Sequence, residues 1–167
     1  MTQVSVMDAF TTPRTAKVAE RLVFEYLAAT QVETGWPEPT SIDGLPPLLR
    51  NECRDLRRVH RQPGGLWLAH QDGSPVGCVG LVTRALGTAE VKRLYVRPTH
   101  RGGIGRVLMN HVHQHAEDHY FTRVVVSVVP TRTAVIDFYR RLGYTDTEPY
   151  DMFPASMVNL RRPVTHP

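Results

Sequence analysis

Apolar and polar positions along the chain predict helices in its first third. Over residues 15–31, apolar side chains recur at helical spacing between charged ones, which is typical of an amphipathic helix. A second helical pattern covers 48–60 and follows a loop at 33–47 that is rich in Gly, Pro, Ser and Thr. Because proline and glycine at 63–65 interrupt this pattern, we expect the second helix to end before them.

The middle of the chain predicts three strands in meander order. Residues 66–70 and 76–83 favour strands, and the turn sequence at 72–75 between them indicates a hairpin. Gly87 marks a further turn, and a third strand is expected at 89–96. The meander therefore ends just before a cluster of glycines.

The last third predicts two helices and three strands. A helix is expected at 103–119, and a valine-rich strand at 124–129 has the unbroken apolar character of strands buried on both faces, which are often parallel. A second helix at 133–142 should end at Gly143, which suits a left-handed cap. Two short strands are expected at 144–148 and 157–160.

Composition indicates one domain spanning 1–167. The chain has 167 residues, of which 41% are hydrophobic, enough for one sizeable core. The net charge of +4 indicates an anionic ligand or a generally basic surface, and because the charge is spread along the chain it does not favour a nucleic-acid partner, so we expect no nucleic acid. Cys53 and Cys78 lack paired spacing and predict neither a disulfide nor a thiolate metal site.

Residues 1–10 form a short leader without the pattern of a secretory signal. No stretch approaches the roughly 18 apolar residues that a membrane span needs. We therefore expect a cytoplasmic protein with no membrane partner.

The segment 91–108 carries the strongest chemical signal. A strand-forming run ends in a proline, and a basic glycine cluster then opens directly into a helix. Glycines at 102, 103 and 105 allow close approach of the backbone, and the first N–H groups of a helix have no intrahelical acceptor. With Arg101 and Arg106 adding positive charge, the segment predicts a phosphate or pyrophosphate site.

Two common phosphate-binding motifs do not fit. The P-loop requires Lys followed by Ser or Thr after its last glycine, and Gly105 is followed by arginine and valine. A dinucleotide-binding fold places its motif Gly-x-Gly-x-x-Gly after an early strand. This cluster instead follows a meander and lacks the last glycine of that motif.

The sequence VKRLYVRP at 91–98 followed by GIGRVL at 103–108, together with DFYRRLGY at 137–144, resembles the GNAT superfamily of acyl-CoA-dependent N-acyltransferases. The glycine loop is one residue shorter than is usual there, so that His100 falls where Gln or Arg is common. The resemblance implies an α/β fold with a mixed central sheet of about six to seven strands flanked by helices. It also implies acetyl transfer from acetyl-CoA to a primary amine of a small molecule or peptide, by direct attack in a ternary complex.

The resemblance also implies roles for particular residues. Tyr139 would be the acid that protonates the departing thiolate, although it can instead be a tyrosine that packs on the buried helix face. Glu90 would be the base, and the alternative is a solvated carboxylate, with bulk water taking the amine proton. The residues implied in acetyl-CoA binding are Leu94, Tyr95, Val96, Arg101, Gly102, Gly103, Ile104, Gly105 and Arg106.

Other polar and aromatic groups have weaker interpretations. His111, His115 and His119 share one helical stripe, but we expect no metal there, because neither thiolates nor a carboxylate set accompany them. Core or surface packing is the default for four residues that could border an acceptor pocket: Trp36, Tyr150, Met152 and Phe153.

Two further functional hypotheses remain open. The chain could be a non-catalytic acyl-CoA-binding sensor or regulatory domain, for which an acid at the sulfur would have no use. It could also be a basic nucleic-acid-binding module, whose binding would depend steeply on salt. We expect a monomer or a homodimer.

Overall fold

The structure, a computed structural model, describes residues 2–150 and 156–167. Its strands are β1 (Val4–Asp8), β2 (Gly65–Gln71), β3 (Ser74–Ala85), β4 (Thr88–Val96), β5 (Arg123–Val128), β6 (Thr145–Asp146) and β7 (Val158–Pro163). Its helices are α1 (Pro13–Glu33), α2 (Pro47–Arg54), α3 (Leu56–Val59), α4 (Ile104–Asp118) and α5 (Thr133–Arg141), with 3₁₀ turns at Ile42–Gly44 and Pro98–His100.

The seven described strands form one sheet in the order β1-β2-β3-β4-β5-β7-β6. β4 and β5 pair in parallel, whereas β1 with β2, β2 with β3, β5 with β7 and β6 with β7 pair antiparallel. The sheet is therefore mixed and helices flank it, as predicted. The parallel position of the valine-rich strand β5 is also confirmed.

Strand β1 was not predicted, because the first ten residues were expected to be a leader. It pairs with β2 over five residue pairs, from Val4 opposite Gln71 to Asp8 opposite Trp67. Its five residues VSVMD have intermediate or exposed side chains. A strand this short depends on its partner's hydrogen bonds more than on its own pattern, so the sequence signal is weak.

The second predicted helix is divided at Asp55. This residue leaves the helical conformation, with φ −141° and ψ 56°, and its side chain accepts a hydrogen bond from the Arg58 N–H at 3.3 Å. Buried Cys53 and Leu56 lie on either side of the break. The apolar spacing therefore continues across it, which is why the pattern predicted one helix.

The chain forms two compact units. One comprises Met1–Val82 and Lys92–Val112, and the other comprises Thr83–Val91 and His113–Pro167. In the first unit, α1, α2 and α3 share a core with the strands. The members of that core are Ala9, Ala19, Leu22, Val23, Leu27, Leu45, Cys53, Leu56, Leu66, Leu68 and Cys78.

The second unit is built around β5. Its ladder with β4 has three residue pairs and ends at Glu90 opposite Val125, whereas its ladder with β7 has six. All four valines of β5 are buried, as expected for a strand covered on both faces.

Both cysteines are buried free thiols, and burial raises the pKa of Cys53 to about 11 and that of Cys78 to about 12. They therefore act as small apolar side chains. Among the described helices, none combines the length and apolar character needed to cross a membrane.

Helix α1 begins at a capping box that supplies a test of this fold. Thr12 Oγ1 accepts from the Thr15 N–H at 3.1 Å, and Thr15 Oγ1 accepts from the Thr12 N–H at 3.0 Å. We expect Thr12→Ala to lower the free energy of unfolding by about 1 kcal/mol, because N–H groups of the first turn lose their partners. Urea denaturation measures this, with Thr40→Ala in the exposed loop as control. Equal stability of the two variants would contradict the assignment.

Candidate active site

The glycine cluster forms an exposed turn between β4 and α4. Gly102 and Gly103 have φ values of +133° and +99°, a region that side chains with a Cβ rarely adopt. A Cβ added at either position would meet no atom within 4 Å. Glycine is therefore required here by backbone conformation, and the space in front of the turn is open.

The turn presents backbone donors and positive charge. The Val107 N–H donates to the Gly103 carbonyl at 3.1 Å, so the N–H groups of Ile104, Gly105 and Arg106 precede the helical hydrogen-bond ladder. Arg101 and Arg106 are exposed, and Arg101 Nε donates to the Val96 carbonyl at 3.3 Å. This arrangement has the features of an anion site at a helix terminus.

The three residues of β4 implied in cofactor binding follow a backbone irregularity at Arg93. Arg93 has a φ of +56°, and Leu94, Tyr95 and Val96 after it are half-buried, whereas the strand's first four residues are buried. The Tyr95 carbonyl lies so close to Gly77 that a Cβ there would be 2.6 Å from its oxygen. The backbone of β4 is therefore tightly held where it approaches the glycine turn.

A half-buried ion pair, which the sequence reasoning missed, holds the Arg93 side chain. Its Nε and Nη2 donate to the two carboxylate oxygens of Glu52 at 2.8 and 2.6 Å. Burial raises the pKa of Glu52, but the hydrogen bond and charge of Arg93 outweigh it, so that the pKa lies below its ordinary value. Such a pair can hold the unusual backbone of Arg93 in place.

Glu90 lies in the second unit and is 3% exposed. The alternative of a solvated carboxylate is therefore wrong. Glu90 forms an ion pair with Arg84, and its Oε1 accepts a hydrogen bond from Tyr150 Oη at 3.4 Å. The pKa of Tyr150 is raised by burial first and by the negative charge of Glu90 second, which keeps its hydroxyl protonated as a donor.

Tyr139 also lies in the second unit, on α5, and is 2% exposed. Its ring makes edge contacts with Phe138 and Tyr144, with centroid distances of 5.4 and 5.2 Å. The structure therefore gives Tyr139 the packing contacts of a buried aromatic residue on the inner face of α5.

The four residues that could border an acceptor pocket lie in different surroundings. Trp36 is 69% exposed and lines a cavity of about 400 Å³ in the first unit with Gln31 and Leu49 among other residues. Tyr150 contacts Glu90 as described. Met152 and Phe153 lie outside the described residues.

The histidines of the predicted stripe, on α4 and just after it, contact other rings and the backbone. His111 packs edge-on against Trp67 at a centroid distance of 5.1 Å, and burial lowers its pKa. The rings of His115 and His119 stack at 3.9 Å, and His119 Nδ1 lies 2.9 Å from the His115 carbonyl oxygen. Residues 2–150 and 156–167 contain no group of three or more His, Cys, Asp or Glu residues arranged to hold a metal ion.

Comparison with known sequences identifies a family. A sequence model of the acetyltransferase (GNAT) family matches residues 25–144. An uncharacterised N-acetyltransferase from Schizosaccharomyces pombe is 32% identical over 104 residues, which span 60% of this chain and 64% of that relative.

Solved acetyltransferase structures share the fold at low identity. An acetyltransferase from Streptococcus agalactiae has a TM-score of 0.76 and 16% identity, covering 96% of this chain and 98% of that one. The PaiA N-acetyltransferase from Thermoplasma acidophilum, solved in complex with coenzyme A, has a TM-score of 0.66 and 13% identity, covering 98% and 99%.

Removing the Glu52 carboxylate tests this ion pair. We expect Glu52→Gln to lower the free energy of unfolding by about 2 kcal/mol, because the half-buried Arg93 charge loses its counter-charge. The control is Glu20→Gln, whose carboxylate pairs with exposed Lys17 at 3.7 Å and should contribute little.

The same variant tests the direction of the Glu52 pKa. The pKa of Glu52 is lower in the folded chain than its ordinary value of 4.5. The wild type should therefore keep the stabilisation by the ion pair above pH 4.5 and lose it as the pH falls through the folded pKa. Denaturation curves from neutral to acidic pH should therefore converge for wild type and Glu52→Gln. A constant difference over that range would contradict the lowered pKa.

Proposed function

Because the chain belongs to the acetyltransferase (GNAT) family, we propose that it transfers the acetyl group of acetyl-CoA to a primary amine of a small molecule or peptide. The turn at 101–106 is the observation that carries this proposal. It combines open space, backbone donors and two arginines, which are the groups that a diphosphate needs. The coenzyme A complex of the Thermoplasma acidophilum neighbour supports the choice of ligand.

In this proposal the cofactor is bound along β4 and the turn. The N–H groups from Arg101 to Arg106 hold the diphosphate, and backbone groups at Leu94–Val96 pair with amides of the pantetheine arm. The support from this structure is the half-buried state of Leu94–Val96, compared with the buried beginning of the strand. No metal is required, because the diphosphate charge is met by amides and guanidinium groups.

The chemistry proceeds by direct attack in a ternary complex. The neutral amine attacks the thioester carbonyl carbon, the C–S bond breaks, and the electron pair leaves on sulfur. Tyr139 donates its hydroxyl proton to this thiolate, and Glu90 accepts the proton that the amine loses. The Arg84 contact supports the role of Glu90, because it holds the carboxylate in one orientation inside the second unit.

The glycine turn can be tested with a matched pair of substitutions. We expect Gly103→Ala to weaken coenzyme A binding about tenfold or more, because alanine disfavours the positive φ and its methyl group faces the diphosphate. Gly73→Ala is the control, since Gly73 also has a positive φ of +82° with no atom within 4 Å of an added Cβ. Calorimetry measures both affinities. Equal affinities in the two variants would contradict the proposed diphosphate site.

The acid role of Tyr139 can be separated from its packing. We expect Tyr139→Phe to lower kcat about 100-fold in a thiol-release assay with an accepted amine, while coenzyme A affinity stays unchanged. Tyr120→Phe, at a tyrosine that is 82% exposed, is the control and should match the wild type. Unchanged turnover in Tyr139→Phe would remove the acid role and favour the packing interpretation. Coenzyme A binding without transfer to any amine would favour the sensor hypothesis.

A further inference from the structure

A cluster of three polar side chains lies where β4 ends, and the chemistry proposed above does not use it. Arg97, the first residue after β4, donates from Nε and Nη2 to the two carboxylate oxygens of Glu25 on α1, at 3.0 and 2.7 Å. Tyr95 Oη donates to the same carboxylate at 3.3 Å. Because residues two apart in an extended chain point to the same side, Tyr95 and Arg97 both reach α1.

Aromatic contacts hold α1 against the same part of β4. The ring of Tyr26, the residue after Glu25, meets the Tyr95 ring edge-on at a centroid distance of 6.2 Å. The Arg93 guanidinium carbon lies 5.7 Å from the centroid of the Tyr26 ring, in a cation–π contact. The place of Glu25 beside β4 is therefore fixed by more than its own ion pair.

The Arg97 guanidinium is held by the protein on two sides. Its Nη1 donates to the Pro75 carbonyl of β3 at 3.1 Å, and its backbone N–H donates to the Val76 carbonyl at 2.9 Å. With the two bonds to Glu25, these contacts join α1, β3 and the end of β4. They engage each of the three side-chain nitrogens, so Arg97 acts on the position of the chain and not on a ligand.

The position of the glycine turn depends on how its ends are held. A Cβ added at Gly102 or Gly103 would meet no atom within 4 Å, so no neighbour supports the turn on that side. At the β4 end, the His100 N–H donates to the Arg97 carbonyl at 2.9 Å and closes the 3₁₀ turn. The ring of Pro98 fixes its own φ, which leaves few free torsions in between. A shift of Arg97 should therefore displace the amides of the turn.

We propose that Glu25 is a positioning residue for the cofactor turn: by holding Arg97, it fixes where the chain leaves β4 and so places the amides of residues 101–106 for the diphosphate. This role rests on the proposed function, since it requires coenzyme A at that turn. Glu25 touches no ligand in this scheme and acts through Arg97.

The negative charge of Glu25 makes the sign of the test informative. Coenzyme A is a polyanion, so removing a negative charge from the first unit should, by electrostatics alone, leave its affinity unchanged or raise it. A positioning role predicts the opposite, because without its anchor Arg97 no longer keeps the turn amides in the geometry that the diphosphate needs. The direction of the change therefore separates the two explanations.

The test measures coenzyme A affinity by calorimetry. We expect Glu25→Gln to bind about tenfold more weakly than the wild type. Glu20→Gln is the control on the same helix, because its carboxylate pairs only with exposed Lys17, and it should bind as the wild type does. In an Arg97→Gln background, Glu25→Gln should cause no further loss, since the two side chains act as one unit.

Urea denaturation of each variant separates this role from a purely structural one. An ion pair that only stabilises the fold would lower the free energy of unfolding of Glu25→Gln and leave the affinity of the folded protein unchanged. Affinity in Glu25→Gln that equals or exceeds that of the wild type would overturn the proposal. The same loss with and without Arg97→Gln would also overturn it, because Glu25 would then not act through Arg97.

Failure of the proposed function would look different. The wild type itself would then not bind coenzyme A, or Gly103→Ala would bind it as tightly as Gly73→Ala does, and the positioning role would fail with it. A wild type that binds at the turn, together with unweakened binding in Glu25→Gln, would overturn the positioning role alone.

Discussion

The backbone N–H groups at the start of α4 are the feature on which this account depends. They precede the helical ladder, so no carbonyl of the helix accepts from them, and the positive φ angles of Gly102 and Gly103 turn the chain beside open space. Backbone amides that are already oriented can stabilise an anion without the entropy cost of fixing a side chain. The positive charges of Arg101 and Arg106 add to the attraction for the anion. The proposed choice of acetyl-CoA, and with it the proposed acetyl transfer, rests on this local geometry.

The strand that leads into this turn is held from the side by a distant helix. Glu52 of α2 binds Arg93 of β4 through both carboxylate oxygens, at the residue where the strand's backbone is irregular. Gly77 of β3 lets the Tyr95 carbonyl approach closely, two residues further along β4. In the first unit, a half-buried ion pair and a glycine thus fix the conformation of the segment that leads to the proposed anion site.

The sequence predicted the features that are local and missed those that depend on distant partners. The glycine cluster, the valine-rich strand β5 and the helices α1, α4 and α5 carry their signal within one stretch of chain. Strand β1 exists through its pairing with β2, and the ion pair of Glu52 and Arg93 joins residues 41 positions apart. Glu90 was identified as a candidate, but its burial with Arg84 follows from tertiary packing.

An amide-resolved NMR titration with coenzyme A locates the bound diphosphate on the chain. We expect the largest amide shifts at Gly103, Ile104, Gly105 and Arg106 with coenzyme A, and we expect pantetheine, which has no diphosphate, to leave these amides almost unmoved. Binding of coenzyme A with the shifts elsewhere, or equal shifts at these residues with pantetheine, would contradict it.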